Sequence, residues 1–129
     1  MWGNQVEFKA LLGKTLTAVE YDEIAKDQIL FRCDDGKVFK MYHGQDCCES
    51  VYIDDVAGDF ADLIGEPLLI AEESTSDTNP EGVKAPKYQD SFTWTFYKLA
   101  TAKGYVDIRW YGESNGYYSE SVDLEEVTE

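Results

Sequence analysis

The sequence is poor in arginine, histidine and cysteine: Arg32, Arg109, His43 and three cysteines are all it has in 129 residues. It also lacks any apolar run approaching the ~20 residues that a membrane-spanning helix needs. Bases as a class are scarce, 11 against 26 acids, for a formal net charge of −15. A field of that sign repels nucleic acid, whose binding requires cationic side chains to displace counterions. Direct binding of DNA or RNA is thus not expected, nor is attachment to an anionic membrane. Three cysteines without regular spacing argue against a disulfide framework and for reduced thiols. The start, MWGNQVEFKALLG, has neither the basic region nor the continuous apolar region of a signal peptide. A cytoplasmic protein is expected.

Catalytic signatures are missing too. No phosphate-binding Walker loop, G-x-G-x-x-G or G-x-S-x-G occurs. No catalytic residue is therefore assigned and no cofactor is expected.

What is present points to a folded domain. Hydrophobic residues make up 43% and aromatics 14%, which separates the chain from disordered acidic polypeptides. The length suits one domain, residues 1–129. ESTSDTNPEGVKAPKYQD (73–90) reads as a surface loop, about 74–90, and EEVTE (125–129) as a frayed acidic tail.

Alternation of apolar and polar residues dominates the rest. In DQILFRC (27–33), Ile29, Phe31 and Cys33 share a face. DDG (34–36) then supplies a hairpin turn before KVFKMYH (37–43). SFTWTFYKLAT (91–101) puts Phe92, Trp94 and Phe96 together, and YVDIRWYG (105–112) sets Val106, Ile108 and Trp110 against Tyr105, Asp107, Arg109 and Tyr111. SNG (114–116) reads as a second hairpin turn, leading into YYSESVDL (117–124). DDVAGDFADLIG (54–65) reads as a helix: Asp54 or Asp55 caps it, Val56, Phe60, Leu63 and Ile64 form a stripe, and Gly65 and Pro67 end it. The expected architecture is α+β, a twisted antiparallel sheet of six or seven strands with one main helix, about 55–64, packed on it.

One segment is chemically crowded. HGQDCCESV (43–51) carries His43, Asp46, Cys47, Cys48 and Glu49. His43, Asp46 and Glu49 are spaced by three and would converge in a helical turn, with Cys33 near enough to join them as a metal ligand. Against this, adjacent Cys47 and Cys48 point to opposite faces of an extended chain. Asp46 and Glu49 also oppose a cysteine nucleophile, because negative neighbours raise a thiol's pKa. Carboxylates at Asp54, Asp55, Asp59 and Asp62 are explained first by capping. The bland alternative for DCCES is a tight polar connection feeding the helix, with one cysteine packed inward and the other near solvent.

Two stretches, HGQDCCESVYIDDVAGDFADLIG (43–65) and TFYKLATAKGYVDIRWYGESNGYYSESV (95–122), resemble a family of small acidic bacteriophage and prophage proteins with no assigned activity. The resemblance implies a phage product acting in the cytoplasm of a bacterial host cell. In that setting the charge suggests a non-enzymatic accessory protein, an acidic module that mimics nucleic acid and occupies the basic groove of a host or defence protein. Tyrosines give such a surface rigid contact area. The candidate surface comprises Tyr105, Asp107, Tyr111, Glu113, Tyr117, Tyr118, Glu120 and Asp123 on a C-terminal hairpin. The alternative is a metal-binding protein or small hydrolase centred on residues 43–49. A self-associating assembly component is a third possibility, and a monomer or small homo-oligomer is expected.

Overall fold

A computed structural model describes residues 3–45, 47–80, 91–116 and 118–127. The chain is nearly all β. Strands β1 (Gly3–Val6), β9 (Asp123–Val127), β4 (Val38–Tyr42), β3 (Gln28–Cys33) and β2 (Leu16–Tyr21) form a five-stranded antiparallel sheet in that spatial order. Strands β5 (Ser50–Ala57), β8 (Gly104–Ser114), β7 (Ser91–Thr101) and β6 (Ile70–Ser76) form a four-stranded one. Helical structure among the described residues is confined to two 3-10 turns, Phe8–Leu11 and Phe60–Leu63.

The expected α+β architecture with a main helix at 55–64 is therefore wrong, and in place of six or seven strands the described residues form nine. The physical reason lies in VYIDDVAGDF. Val51, Ile53 and Val56 are β-branched, and β5 runs through Ala57, paired to β8 from Ser50↔Glu113 to Ala57↔Asp107. Gly58 then interrupts the supposed stripe at φ +110°, and a Cβ there would sit 2.5 Å from the Tyr105 carbonyl oxygen. What remains is a single 3-10 turn, capped by Asp59, whose carboxylate accepts from the Ala61 N–H at 2.9 Å. Upstream, Gln5 and Val6 belong to β1, which leads into the Phe8–Leu11 turn.

Alternation does its expected work in β3, where Ile29, Phe31 and Cys33 are buried. Asp34–Gly36 closes the β3–β4 hairpin, with Gly36 at φ +86°. The acidic end is a further correction: Glu125 and Glu126 lie in β9, paired on one side with β1 and on the other with β4. Residues 128 and 129 lie outside the described residues, as do 81–90 of the expected 74–90 loop, whose first part is strand up to Ser76.

The two sheets face each other across one cluster of buried side chains. Ile29, Phe31, Phe39, Met41 and Leu124 from one sheet meet Ile53, Leu99, Val106, Ile108 and Trp110 from the other. Trp110 marks the contact, its indole N–H donating to Met41 Sδ at 3.1 Å. The Phe8–Leu11 turn closes one side, with Phe8 4.5 Å from the Tyr97 ring. β8 and β9 do not form the expected C-terminal hairpin. β8 stays between β5 and β7, and residues 118–122 carry the chain across to the other sheet.

Candidate functional site

The crowded segment 43–49 is a connection between β4 and β5, not the start of a helix. Its centre is a hydrogen-bonded pair withdrawn from water: the side chains of His43 and Glu49 are 4% and 0% exposed. His43 Nε2 lies 2.8 Å from Glu49 Oε2, and Nδ1 lies 2.6 Å from the Ser121 carbonyl oxygen. A carbonyl only accepts, so the Nδ1–H donates to it. The other Glu49 oxygen accepts the Cys47 N–H at 2.9 Å, and the Gln45 amide donates to the carbonyls of Glu49 and Cys47. Burial of Glu49 is thus matched by hydrogen bonds, which a buried carboxylate requires. The net effect is a clamp that ties the turn to the 118–122 link.

Cys47 and Cys48 are both exposed and are joined as a vicinal disulfide. The expectations of reduced thiols and of one inward cysteine are both corrected: a turn, unlike an extended strand, lets neighbouring sulfurs meet. Cys33, the third cysteine, is buried in β3, and its burial pushes the thiol up to about 11. Asp46 lies outside the described residues. Among the described residues, no three His, Cys, Asp or Glu side chains are grouped to hold a metal ion, and both His43 nitrogens are engaged within the chain.

A second region lies on the outer face of the four-stranded sheet. Pairing of Trp94 with Tyr111, Phe96 with Arg109 and Tyr52 with Tyr111 brings the outward residues of three strands together. Tyr111 is the hub: its ring centroid is 4.6 Å from Trp94, 5.9 Å from Tyr52 and 6.3 Å from Phe92. Arg109 lies 5.3 Å over the Trp94 ring and donates through Nε and Nη2 to Asp54 Oδ2, at 2.8 and 2.6 Å. Asn79 receives the Trp94 indole N–H at 3.0 Å. Beside this cluster runs a groove of about 410 Å³, lined by Asp55, Ala57, Glu72, Phe96, Lys98 and Asp107 among others. Burial, then the charges of Asp54 and Glu113, raises the Tyr52 hydroxyl's pKa.

The described residues of the expected surface divide among three places. Tyr105, Asp107, Tyr111 and Glu113 share the outer face of β8. Tyr105 is 58% exposed, whereas Tyr111 is buried and donates to Glu113 at 3.0 Å. Glu120 instead lies on the link, accepting from Thr93 and Ser114. Tyr118 belongs to the same link, and Asp123 opens β9 in the other sheet opposite Tyr42. Tyr117 lies outside the described residues. Sequence reasoning did not assign Tyr52, Phe92, Trp94, Phe96, Arg109 or Asp54 to the surface. The alternation of FTWTF was the available signal for three of them and that of YVDIRWYG for Arg109, while the helix assigned at 54–65 hid the strand that presents Tyr52 and Asp54.

These features define an acidic, two-sheet antiparallel β protein with an aromatic outer face. The chain belongs to the family described as Domain of unknown function (DUF7448), which matches residues 9–124. No curated protein and no solved structure matches it. Among the described residues no helix is long and apolar enough to cross a membrane.

Proposed function

We propose that the chain is a non-enzymatic, acidic protein-binding module whose outer four-stranded face docks on a basic surface of a host or defence protein. The observation that carries this reading is the shared placement of exposed rings and carboxylates: Tyr52 and Tyr105 stand on the same face as Asp55, Asp107 and Glu72. Strands hold these groups at fixed spacing, so little backbone freedom remains to be lost on docking. With a net charge of −15, encounter with a cationic groove is steered over long range. Carboxylates in rows along such a face would take the place of phosphates, as a nucleic-acid mimic does. The resemblance to phage proteins supports the setting, a phage gene product in a bacterial cytoplasm.

The test is affinity capture from bacterial lysate at low and moderate salt, read by mass spectrometry. One basic protein should be held at low salt and released as salt rises. Asp107→Lys with Asp55→Lys should abolish its retention, while Asp34→Lys, at the far β3–β4 turn, should keep it. Equal retention by both variants would sink the proposal. The metal-binding or hydrolase alternative has less support, because His43 is committed to Glu49 and Ser121.

A further inference from the structure

We propose that Cys47 and Cys48 are a reversible two-electron redox site for small monothiols, and that the oxidised pair holds Glu49 in its clamp on His43. Three observations combine. Both cysteines are exposed, so a small molecule reaches them, while Cys33 is buried in the core. The disulfide joins neighbours in sequence, so it closes the shortest possible loop and constrains the unfolded chain far less than a long-range bridge would. Its effect is therefore local. Finally, the backbone it constrains is that of the clamp, since the Cys47 N–H is bound by Glu49 Oε1 while Glu49 Oε2 meets His43. His43 in turn holds the Ser121 carbonyl, so the turn's conformation is linked to the 118–122 crossing between the sheets.

A cleft of about 280 Å³, lined by Cys48, Glu49, Ser50, Glu113, Ser114, Asn115 and Tyr118, opens beside one sulfur and gives a co-reactant room. Its carboxylates disfavour a thiol that carries several negative charges and favour one whose thiolate carries the least, such as that of free cysteine. The step balances as ordinary exchange. A monothiol, as thiolate, attacks one sulfur, the S–S bond breaks, and the other cysteine leaves as thiolate and takes up a proton. A second monothiol then attacks the mixed disulfide, releasing the second protein thiol. The chain's disulfide is reduced to two thiols, and two monothiols are oxidised to one small disulfide.

The whole chain is equilibrated in cysteine/cystine buffers of graded ratio, trapped natively at neutral pH with excess N-ethylmaleimide and weighed. Native protein should show species with zero or two adducts, both on the 43–51 peptide, interconverting with the ratio, and Cys33 should react only after denaturation. A dominant singly alkylated species, or a pair that stays reduced in excess cystine, would overturn the redox site. Hydrogen exchange tests the clamp. Reduction should raise exchange several-fold in both 44–50 and 118–122, leaving β3 and β4 unchanged. The Cys47→Ser/Cys48→Ser variant should show the faster rates in every buffer. Exchange at 118–122 that ignores the redox state would overturn the coupling.

Discussion

The two faces of β8 are dry for different reasons. Inward, Val106, Ile108 and Trp110 are sealed by the second sheet, and the Trp110 indole N–H is matched by the Met41 sulfur. Outward, Trp94 and Tyr111 are just as inaccessible at 2% each, yet among the described residues no third layer of sheet covers them. They are closed over by other side chains: Tyr52, Phe92, the Arg109 guanidinium and Asn79. A core covered by backbone cannot rearrange cheaply. A cluster covered by side chains can, because its lid turns about single bonds. The contrast explains how one strand serves both as the spine of the fold and as the floor of a docking face.

Truncation separates the two faces most sharply. Trp110→Ala removes the largest fully buried side chain from between two sheets that cannot collapse onto the gap, and should cost about 3–5 kcal/mol. Urea denaturation followed by tryptophan fluorescence measures it. Tyr111→Ala removes a comparable ring from the outer cluster, where Tyr52 and Phe92 can close in, and should cost roughly 2–3 kcal/mol. Equal losses would mean that the outer cluster is packed as rigidly as the core.

How far the sequence reveals these faces depends on whether the deciding contact is local. The β3–β4 hairpin is legible because alternation and the Asp-Gly turn lie within sixteen residues of one another. The two faces of β8 are legible for the same reason. The 54–65 segment misleads because Val56, Phe60, Leu63 and Ile64 fit a helical period, while the pairing of β5 with β8 comes from half the chain away. Glu125 and Glu126 look like a solvated tail until Lys37, at 3.6 Å from Glu126, and the open edge of β4 are brought beside them. SNG at 114–116 is a turn, with Gly116 at φ +91°, but the chain beyond it changes sheets instead of returning. The outer face is therefore half visible: its β8 residues are marked by alternation, and its partners from β5 are not. The His43–Glu49 clamp is invisible, since the acid that looks like a metal ligand is spoken for by its own neighbours.

The inner face also carries a titratable group whose effect has a definite sign. Tyr97 is buried and donates to Glu73 Oε2 at 2.6 Å, and burial, then that carboxylate, raises its pKa well above the ordinary value. The unfolded chain loses the phenol proton near pH 10, while the folded chain keeps it. Ionisation therefore favours unfolding, and the contribution present below pH 10 is lost as pH rises beyond it. Tyr97→Phe should be less stable by about 1 kcal/mol at neutral pH, for the lost hydrogen bond. The gap to the parent should narrow above pH 10. Tyr21, Tyr42 and Tyr52 are raised as well, so the variant keeps part of the alkaline decline. Melting temperatures from pH 7 to 11 test this, and parallel curves would show that Tyr97 ionises alike in both states.

The smallest effect on folding belongs to the residue expected to matter most for binding. Asp107 is exposed on the outer face, opposite Lys98 in the β7–β8 register and beside the groove floor of Phe96. Reversing its charge sets two lysines against each other across the pair, a local repulsion weakened by solvent. Asp107→Lys should thus change stability by no more than about 0.5–1 kcal/mol, while removing two units of negative charge from the docking face. Measured together, urea midpoints and retention of the captured basic partner place a residue on one side of β8 or the other. Trp110→Ala should lower the midpoint and lose binding only in proportion to the unfolded fraction. Asp107→Lys should lose binding with the midpoint nearly in place, and a variant that loses neither would put the docking face elsewhere on the chain.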